Sequence, residues 1–293
     1  MMNRRTFLGT TTAAGGALLS TRLGWAADSH RIEKVGVQLY TVRDAMKADF
    51  EGTIAKVAAI GYKEVEFAGY FDHTPQQVRA VLDKNGLTAP SVHVDYPSCS
   101  EAKFPKVVEA ATIIGHKYIV CPWIDDDVRA RGEWKAAAEV FNKAAAVSKK
   151  AGIQFAYHNH DFEFVKVDGK YAYDILLEQT DVNLVKMEMD LCWMTVAGQD
   201  PVKYFDRYPG RFPMVHVKDV KSVPPSDKPG EPVALDKVFP FMTEVGSGSI
   251  DWKRIFAHSG KAGIEHYFVE HDYPKDQFAS IAASYKYLET LRF

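Results

Sequence analysis

The sequence predicts a single (β/α)8 barrel, an α/β fold, on three observations. Strand-length apolar runs alternate with helix-length amphipathic runs almost without interruption after residue 30, and Gly or Asn marks their stops. Four of the strand-like runs end on metal-binding side chains, the place where barrels of this kind build their active sites. The length of 293 residues suits one large barrel. A doubly wound open sheet also explains the alternation. It lacks the expected glycine-rich phosphate turn after the first strand, which reads Gln38-Leu39-Tyr40-Thr41-Val42-Arg43.

The elements follow in order. A first strand is predicted at 35–40, then a helix over Phe50–Ile60 closed by Gly61. Glu64–Ala68 is the second strand, and Thr74 caps a helix that runs to Asn85-Gly86. The third strand is placed at 91–96 with a helix near 103–115 behind it, and the fourth at 118–122, before the Ala-rich helix 133–151. The four metal-bearing runs, QFAYHNH (154–160), LVKMEMD (184–190), FPMVHVKD (212–219) and HYFVEHD (266–272), supply strands five to eight. Helices are predicted near 173–178, Pro201–Arg207, 252–262 and 278–291. The Pro- and Gly-rich segment 221–248 is a loop whose length suits a lid or wall at the catalytic end.

Side chains two apart on a strand share a face, so His158 pairs with His160, Glu188 with Asp190, His216 with Lys218, and Glu270 with Asp272. Four strands presenting nitrogen and oxygen donors in one direction make a divalent-metal site in a barrel mouth. Lys218 is no ligand beside His216, which fixes that choice. Asp190 ends its strand, while Glu188 lies one layer deeper as a supporting group or catalytic acid. Glu270 follows an apolar run, and His271 and Asp272 are expected to face the exit. The set His158, Asp190, His216 and Glu270 mixes imidazole and carboxylate, which favours Mn, Co or Zn over Mg. Gln38, Tyr40, Glu66, His93, Glu188, Trp193 and Lys218 point into the same mouth as candidate substrate contacts, with Lys218 placed to pair with Glu188.

Composition narrows the function. A net charge of −2 with scattered Lys and Arg gives no basic patch for nucleic acid. Three cysteines match neither a disulfide framework nor a zinc motif, and Cys121 and Cys192 sit in apolar, core-like context. Residues 1–27 are set apart from the barrel at 28–293: Asn3-Arg4-Arg5-Thr6-Phe7-Leu8-Gly9 precedes a weakly apolar stretch and the small residues around Ala26-Ala27. That stretch is too short and too poor in large aliphatics for a permanent membrane anchor. It resembles a twin-arginine (Tat) leader, which implies engagement of the Tat export machinery and a periplasmic or otherwise exported protein.

VGVQLYTVRD (35–44), GYKEVEFAG (61–69), HVKD (216–219), GSGSIDW (246–252) and the stretch from Asp190 to Pro201 together resemble the sugar phosphate isomerase/epimerase superfamily, the xylose-isomerase-like TIM barrels. The resemblance covers roughly 31–291. It implies metal ligands at Asp190, His216 and Glu270, and places His158 where many relatives carry Glu. It also implies proton abstraction beside a carbonyl, with Glu270 moving the proton and His158 or His160 as the opposite acid/base. The expected activity is a metal-dependent isomerase or epimerase of an unphosphorylated keto- or aldo-sugar. Alternatives are a lyase acting on 3-keto-glycosides or inososes and a non-catalytic sugar-binding barrel. A homo-oligomer is compatible with all of them.

Overall fold

In the computed structural model, which describes residues 30–226, 231 and 233–293, eight parallel strands close a barrel. They are β1 (Val35–Gln38), β2 (Glu64–Ala68), β3 (Thr88–His93), β4 (Tyr118–Cys121), β5 (Gln154–His158), β6 (Val185–Asp190), β7 (Met214–Val217) and β8 (His266–Val269). Each pairs with its chain neighbours, and β1 closes on β8 through Val35–Tyr267 and Val37–Val269. The leader expected at 1–27 lies outside the described residues. Among the described residues no helix is long and apolar enough to cross a membrane.

The helices around the barrel form where the sequence places them, and their ends have local causes. Thr74 and Gln77 make a reciprocal capping box that satisfies two exposed amides, and Gly86 closes the same helix, Pro75–Asn85, at a positive φ of 64°. Capping of this kind stabilises a helix by about 1 kcal/mol. Asp49, Asp200, Asp251 and Asp276 cap the starts of four others.

Three expectations need correction. The third strand begins at Thr88, three residues before the predicted start, and ends at His93. Proline inside a strand argues against it, yet Pro90 sits at a bulge where the β2–β3 register shifts between Glu64/Thr88 and Glu66/Ser91, a position that tolerates a missing amide. The single helix predicted over 252–262 is two short ones, Trp252–Phe256 and Ser259–Ala262. Short helices at Arg43–Ala48, Asp126–Ala130 and Leu191–Val196 are additional, because four to six residues carry too little periodicity to read.

The barrel interior is packed. Tyr118, Val120, Ala156, Met214 and Phe268 form one buried cluster, and β1 makes room for it with a glycine: a Cβ on Gly36 would meet the Phe268 ring at 2.6 Å. One step further along the strands the interior turns polar, with Glu66, His158, Glu188, Asp190, His216 and Lys218 all buried. Cys99, Cys121 and Cys192 are buried free thiols.

Candidate active site

The polar interior has two tiers. In the lower tier three imidazoles converge on one carboxylate oxygen. Glu188 Oε2 lies 2.7 Å from His93 Nε2, 3.1 Å from His158 Nδ1 and 3.3 Å from His216 Nε2. Glu66 Oε2 is 2.6 Å from His216 Nε2 and accepts from Gln38 Nε2 at 2.8 Å, while Ser91 Oγ donates to its other oxygen. Burial pulls the His93 pKa down, but Glu66 and Glu188 outweigh it and push it up to about 10. His158 goes the other way: burial, with His216 beside it, holds it well below the ordinary histidine value.

The upper tier is built around Lys218. Its fully buried ammonium stands 2.8 Å from Glu270 Oε2, 3.0 Å from Asp272 Oδ2 and 3.1 Å from Asp190 Oδ2. Burial acts to strip its proton, but Asp190, Asp272 and Glu270 hold its pKa well above the usual lysine range. It is a fixed cation and no base. His216 reaches this tier through its other nitrogen, Nδ1, 2.8 Å from Glu270 Oε2. Burial raises the Glu270 pKa, yet Lys218 and His216 outweigh it and hold the carboxylate well below its ordinary value.

Several of the partnerships expected from the sequence differ in the structure. Lys218 pairs with Asp190, Glu270 and Asp272 and not with Glu188, because Glu188 lies deeper and is taken by the three imidazoles. Asp272 faces inward to Lys218, not outward to the exit. His271 does not line the cavity; its ring Nδ1 lies 2.9 Å from Ser280 Oγ. Gln38 and Glu66, expected to touch substrate, do not line the cavity above the tiers. Both ends of the Gln38 amide are committed, to Tyr40 N and to Glu66. Glu188 is likewise part of the floor.

Above the upper tier opens a cavity of about 740 Å³, lined by Tyr40, His93, Trp123, His158, His160, Trp193, Lys218, Glu270 and Asp272 among others. His160 lies just beyond β5, its backbone N–H donating to Glu163 Oε2 at 2.9 Å while Tyr157 OH donates to the other Glu163 oxygen. Its ring stacks on Phe162 and meets Trp123 edge-on, and Nδ1 has no hydrogen-bond partner. Burial, reinforced by Lys218, keeps its pKa well below the ordinary value, so the ring is a neutral acceptor. Trp193 is buried wall with one edge on the cavity, its ring under the Lys218 ammonium at 5.4 Å.

The donor set fits a divalent cation. Asp190, His216 and Glu270 each offer one atom within 4.8 Å of the others, and so do His93, His158, Glu188 and His216. Asp190 Oδ2 meets the Lys218 ammonium at 3.1 Å, and His158 Nε2 and His216 Nδ1 both stand 3.9 Å from it, so imidazole and carboxylate donors face one another across a space open to a cation.

Sequence reasoning missed Asp219. Its carboxylate accepts from the amides of Gly246 and Gly248 at 2.9 and 3.2 Å and from Trp252 Nε1 at 3.0 Å. The glycine-rich run Gly246-Ser247-Gly248-Ser249 is thus filled by the protein's own Asp219. A Cβ on Gly248 would meet Asp219 Oδ1 at 2.0 Å. The signal was present in HVKD and GSGSIDW, two segments that only the fold brings together. The clamp fixes both ends of the 221–248 loop, whose Leu235 and Phe239 line the cavity as the wall expected there.

Residues 54–293 match the family described as xylose isomerase-like TIM barrel. The chain belongs to that family. Among relatives of this xylose isomerase-like barrel is an inosose dehydratase of Clostridium perfringens, 32% identical over 235 residues covering 71% of this chain and 76% of that protein. Another, from Geobacillus kaustophilus, is 28% identical over 57% of this chain and 61% of its own length. Among solved structures, a sugar phosphate isomerase/epimerase of Parabacteroides distasonis is 27% identical with a TM-score of 0.71, covering 88% of this chain and 98% of its own. A zinc-bound structure of the IOLI protein shares the fold at a TM-score of 0.67 and 14% identity, covering 86% and 95%.

Proposed function

We propose that this barrel is a metal-dependent lyase acting on an unphosphorylated cyclic keto-sugar or ketocyclitol. It removes the proton from the carbon beside the carbonyl and expels the oxygen substituent on the next carbon. The observation that carries the choice is the division of labour in the cavity. His160 lines the cavity with an imidazole that burial keeps neutral, while Glu270 is tied to Lys218 and His216. Elimination needs one base; epimerisation needs two on opposite faces of the substrate. His160 takes the α-proton, and the C–H electron pair moves into the enolate. The β C–O bond then breaks as the leaving oxygen recovers a proton from the imidazolium. Lys218, protonated throughout, faces the developing enolate oxygen as a fixed positive charge.

His158, Asp190, His216 and Glu270 would hold a divalent cation, which when bound would supply Lewis-acid chemistry at the substrate's carbonyl. The mixed donors favour Mn, Co or Zn, and zinc in the IOLI protein agrees with that preference. The inosose dehydratases among the relatives support the lyase reading. Asp190, Glu270 and Asp272 against the single Lys218 disfavour a phosphorylated substrate. Isomerisation or epimerisation is the second reading. It is supported by the Parabacteroides relative, a sugar phosphate isomerase/epimerase.

The test is deuterium exchange. Metal-loaded protein is incubated in D2O with 2-keto-myo-inositol and with 3-keto-glucosides, and products are read by NMR. A lyase loses the α-hydrogen and yields the unsaturated ketone or its diketone tautomer. Exchange with recovery of an epimer or isomer would favour the second reading, and no exchange in the presence of bound metal would sink both.

A further inference from the structure

Beside the main cavity lies a second one of about 490 Å³, and the two share Trp123 and Leu235 as walls. Trp123 follows β4, Asp161 and Phe162 follow β5, and Leu235 comes from the long loop after β7, so this cavity too opens at the catalytic end of the barrel. Its aromatic side is rigid. Trp123 and Phe162 meet edge to face at 4.7 Å, and the Arg129 guanidinium lies 3.8 Å over the Phe162 ring and 4.6 Å over Trp123. Arg129 is itself fixed, donating through Nε to Ile124 O at 2.9 Å and through Nη2 to the Asp126 carboxylate.

Its polar side points to a ligand. Asp161 is 2% exposed, and its Oδ2 has no hydrogen-bond partner. Leaving such an oxygen bare costs about 1–3 kcal/mol, so a hydroxyl donor is the missing partner. Among the described residues of the lining, Asp126 and Asp161 stand with one cation, Arg129, which Asp126 already pairs, a balance that disfavours an anion. An aromatic wall at Trp123 together with the unpartnered Asp161 carboxylate suits a neutral polyhydroxylated ring, with a hydroxyl on Asp161.

We propose that this second cavity is a subsite for the leaving half of the substrate, so that the enzyme acts on a glycoside of two sugar units joined across Trp123. The word leaving rests on the lyase reading above; the binding of two units does not. With β-elimination in the main cavity, the expelled oxygen is then the glycosidic one, and the second sugar departs as an alcohol carrying the proton from His160.

The test reads binding alone. Glucose, trehalose, maltose and cellobiose are titrated calorimetrically into the metal-loaded protein, the Asp161→Asn variant and the Ala234→Trp variant. Ala234 lines only the second cavity and is exposed, so Trp there fills the space without entering the core. At least one disaccharide should bind roughly tenfold tighter than glucose, the step that one or two well-made polar contacts give. That ratio should fall to about one in both variants. If no disaccharide outbinds glucose, or if the advantage survives in both variants, the subsite does not exist. A protein that exchanges deuterium with a ketocyclitol yet shows no disaccharide advantage loses the subsite and keeps the lyase reading. One with the advantage and no exchange loses the lyase reading and keeps the subsite.

Discussion

Lys218 Nζ lies 2.8 Å from Glu270 Oε2, both side chains closed off from solvent, and the same ammonium also meets Asp190 and Asp272. One buried cation thus holds three carboxylates that share a single barrel mouth. Four charges in so small a volume are stable only while they compensate one another.

Lys218→Met should therefore destabilise the metal-free protein by about 3–5 kcal/mol, the scale for leaving buried charge uncompensated. Adding Mn2+ should recover part of that loss, because a cation at Asp190 and Glu270 takes over the compensation. Urea unfolding with and without metal measures both effects. Equal stability of the variant and its parent without metal would mean that Lys218 does not hold the three acids together.

Asp219→Ala should unlatch the loop. It orphans the amides of Gly246 and Gly248 and the Trp252 indole at once. Each hydrogen bond to a charged acceptor contributes about 1.5–3 kcal/mol, with losses in one cluster less than additive. Limited proteolysis should then cut within 221–248 while the barrel fragments stay intact. A cleavage pattern matching the parent's would show that the loop is held by its apolar contacts alone.

His216→Ala should lower metal occupancy at fixed free metal by at least tenfold and leave the far-UV circular dichroism unchanged. His216 presents a nitrogen to each tier at hydrogen-bond distance, Nδ1 to Glu270 and Nε2 to Glu66 and Glu188. Elemental analysis after dialysis decides it. Full occupancy would take His216 out of the ligand set.

A buried neutral histidine gives a pH prediction away from the site. His116 Nδ1 is 2.7 Å from Ala89 O, and burial lowers the pKa from 6.5 to about 4. Above pH 6.5 the ring is neutral whether the chain is folded or not. As pH falls below that value the unfolded chain takes up a proton that the folded chain refuses until about 4, so stability drains away across that window. The loss is at most about 3 kcal/mol. In His116→Gln the fall in stability between pH 6.5 and 4 should be shallower by up to that amount. Parallel stability curves for parent and variant would show that His116 titrates alike in both states.

The barrel was legible because its strands are short, apolar and evenly spaced, and because Thr74, Gly61 and Gly86 mark helix ends that the structure keeps. The inward residues were legible because strand period two is a rigid rule, so Glu188 with Asp190 and His216 with Lys218 could be assigned to one face. Partnership was not legible. Lys218 and Glu270 lie fifty-two positions apart, and nothing local tells which acid a lysine will meet once β7 and β8 pair. Asp219 escaped for the same reason, its partners being the amides of a segment that reads as an ordinary glycine-rich loop. Pro90 hid the start of β3 because a bulge depends on the neighbouring strand and not on the residue itself.

The final prediction separates the two residues able to act as base. Burial favours a protonated Glu270, but Lys218 and His216 prevail and keep it ionised and weakly basic. His160 lines the cavity and burial keeps its ring neutral. Glu270→Gln keeps an oxygen for the cation and for Lys218, so at saturating metal it should slow deuterium exchange at the substrate's α-carbon by no more than roughly tenfold. His160→Ala removes the acceptor and should slow it by at least about 10²-fold, the usual contribution of a positioned base. The reverse order, with exchange collapsing in Glu270→Gln and persisting in His160→Ala, would return the proton transfer to Glu270. Lys218 would then have to be displaced from Glu270 when substrate binds, since a carboxylate paired at 2.8 Å to an ammonium is a poor acceptor.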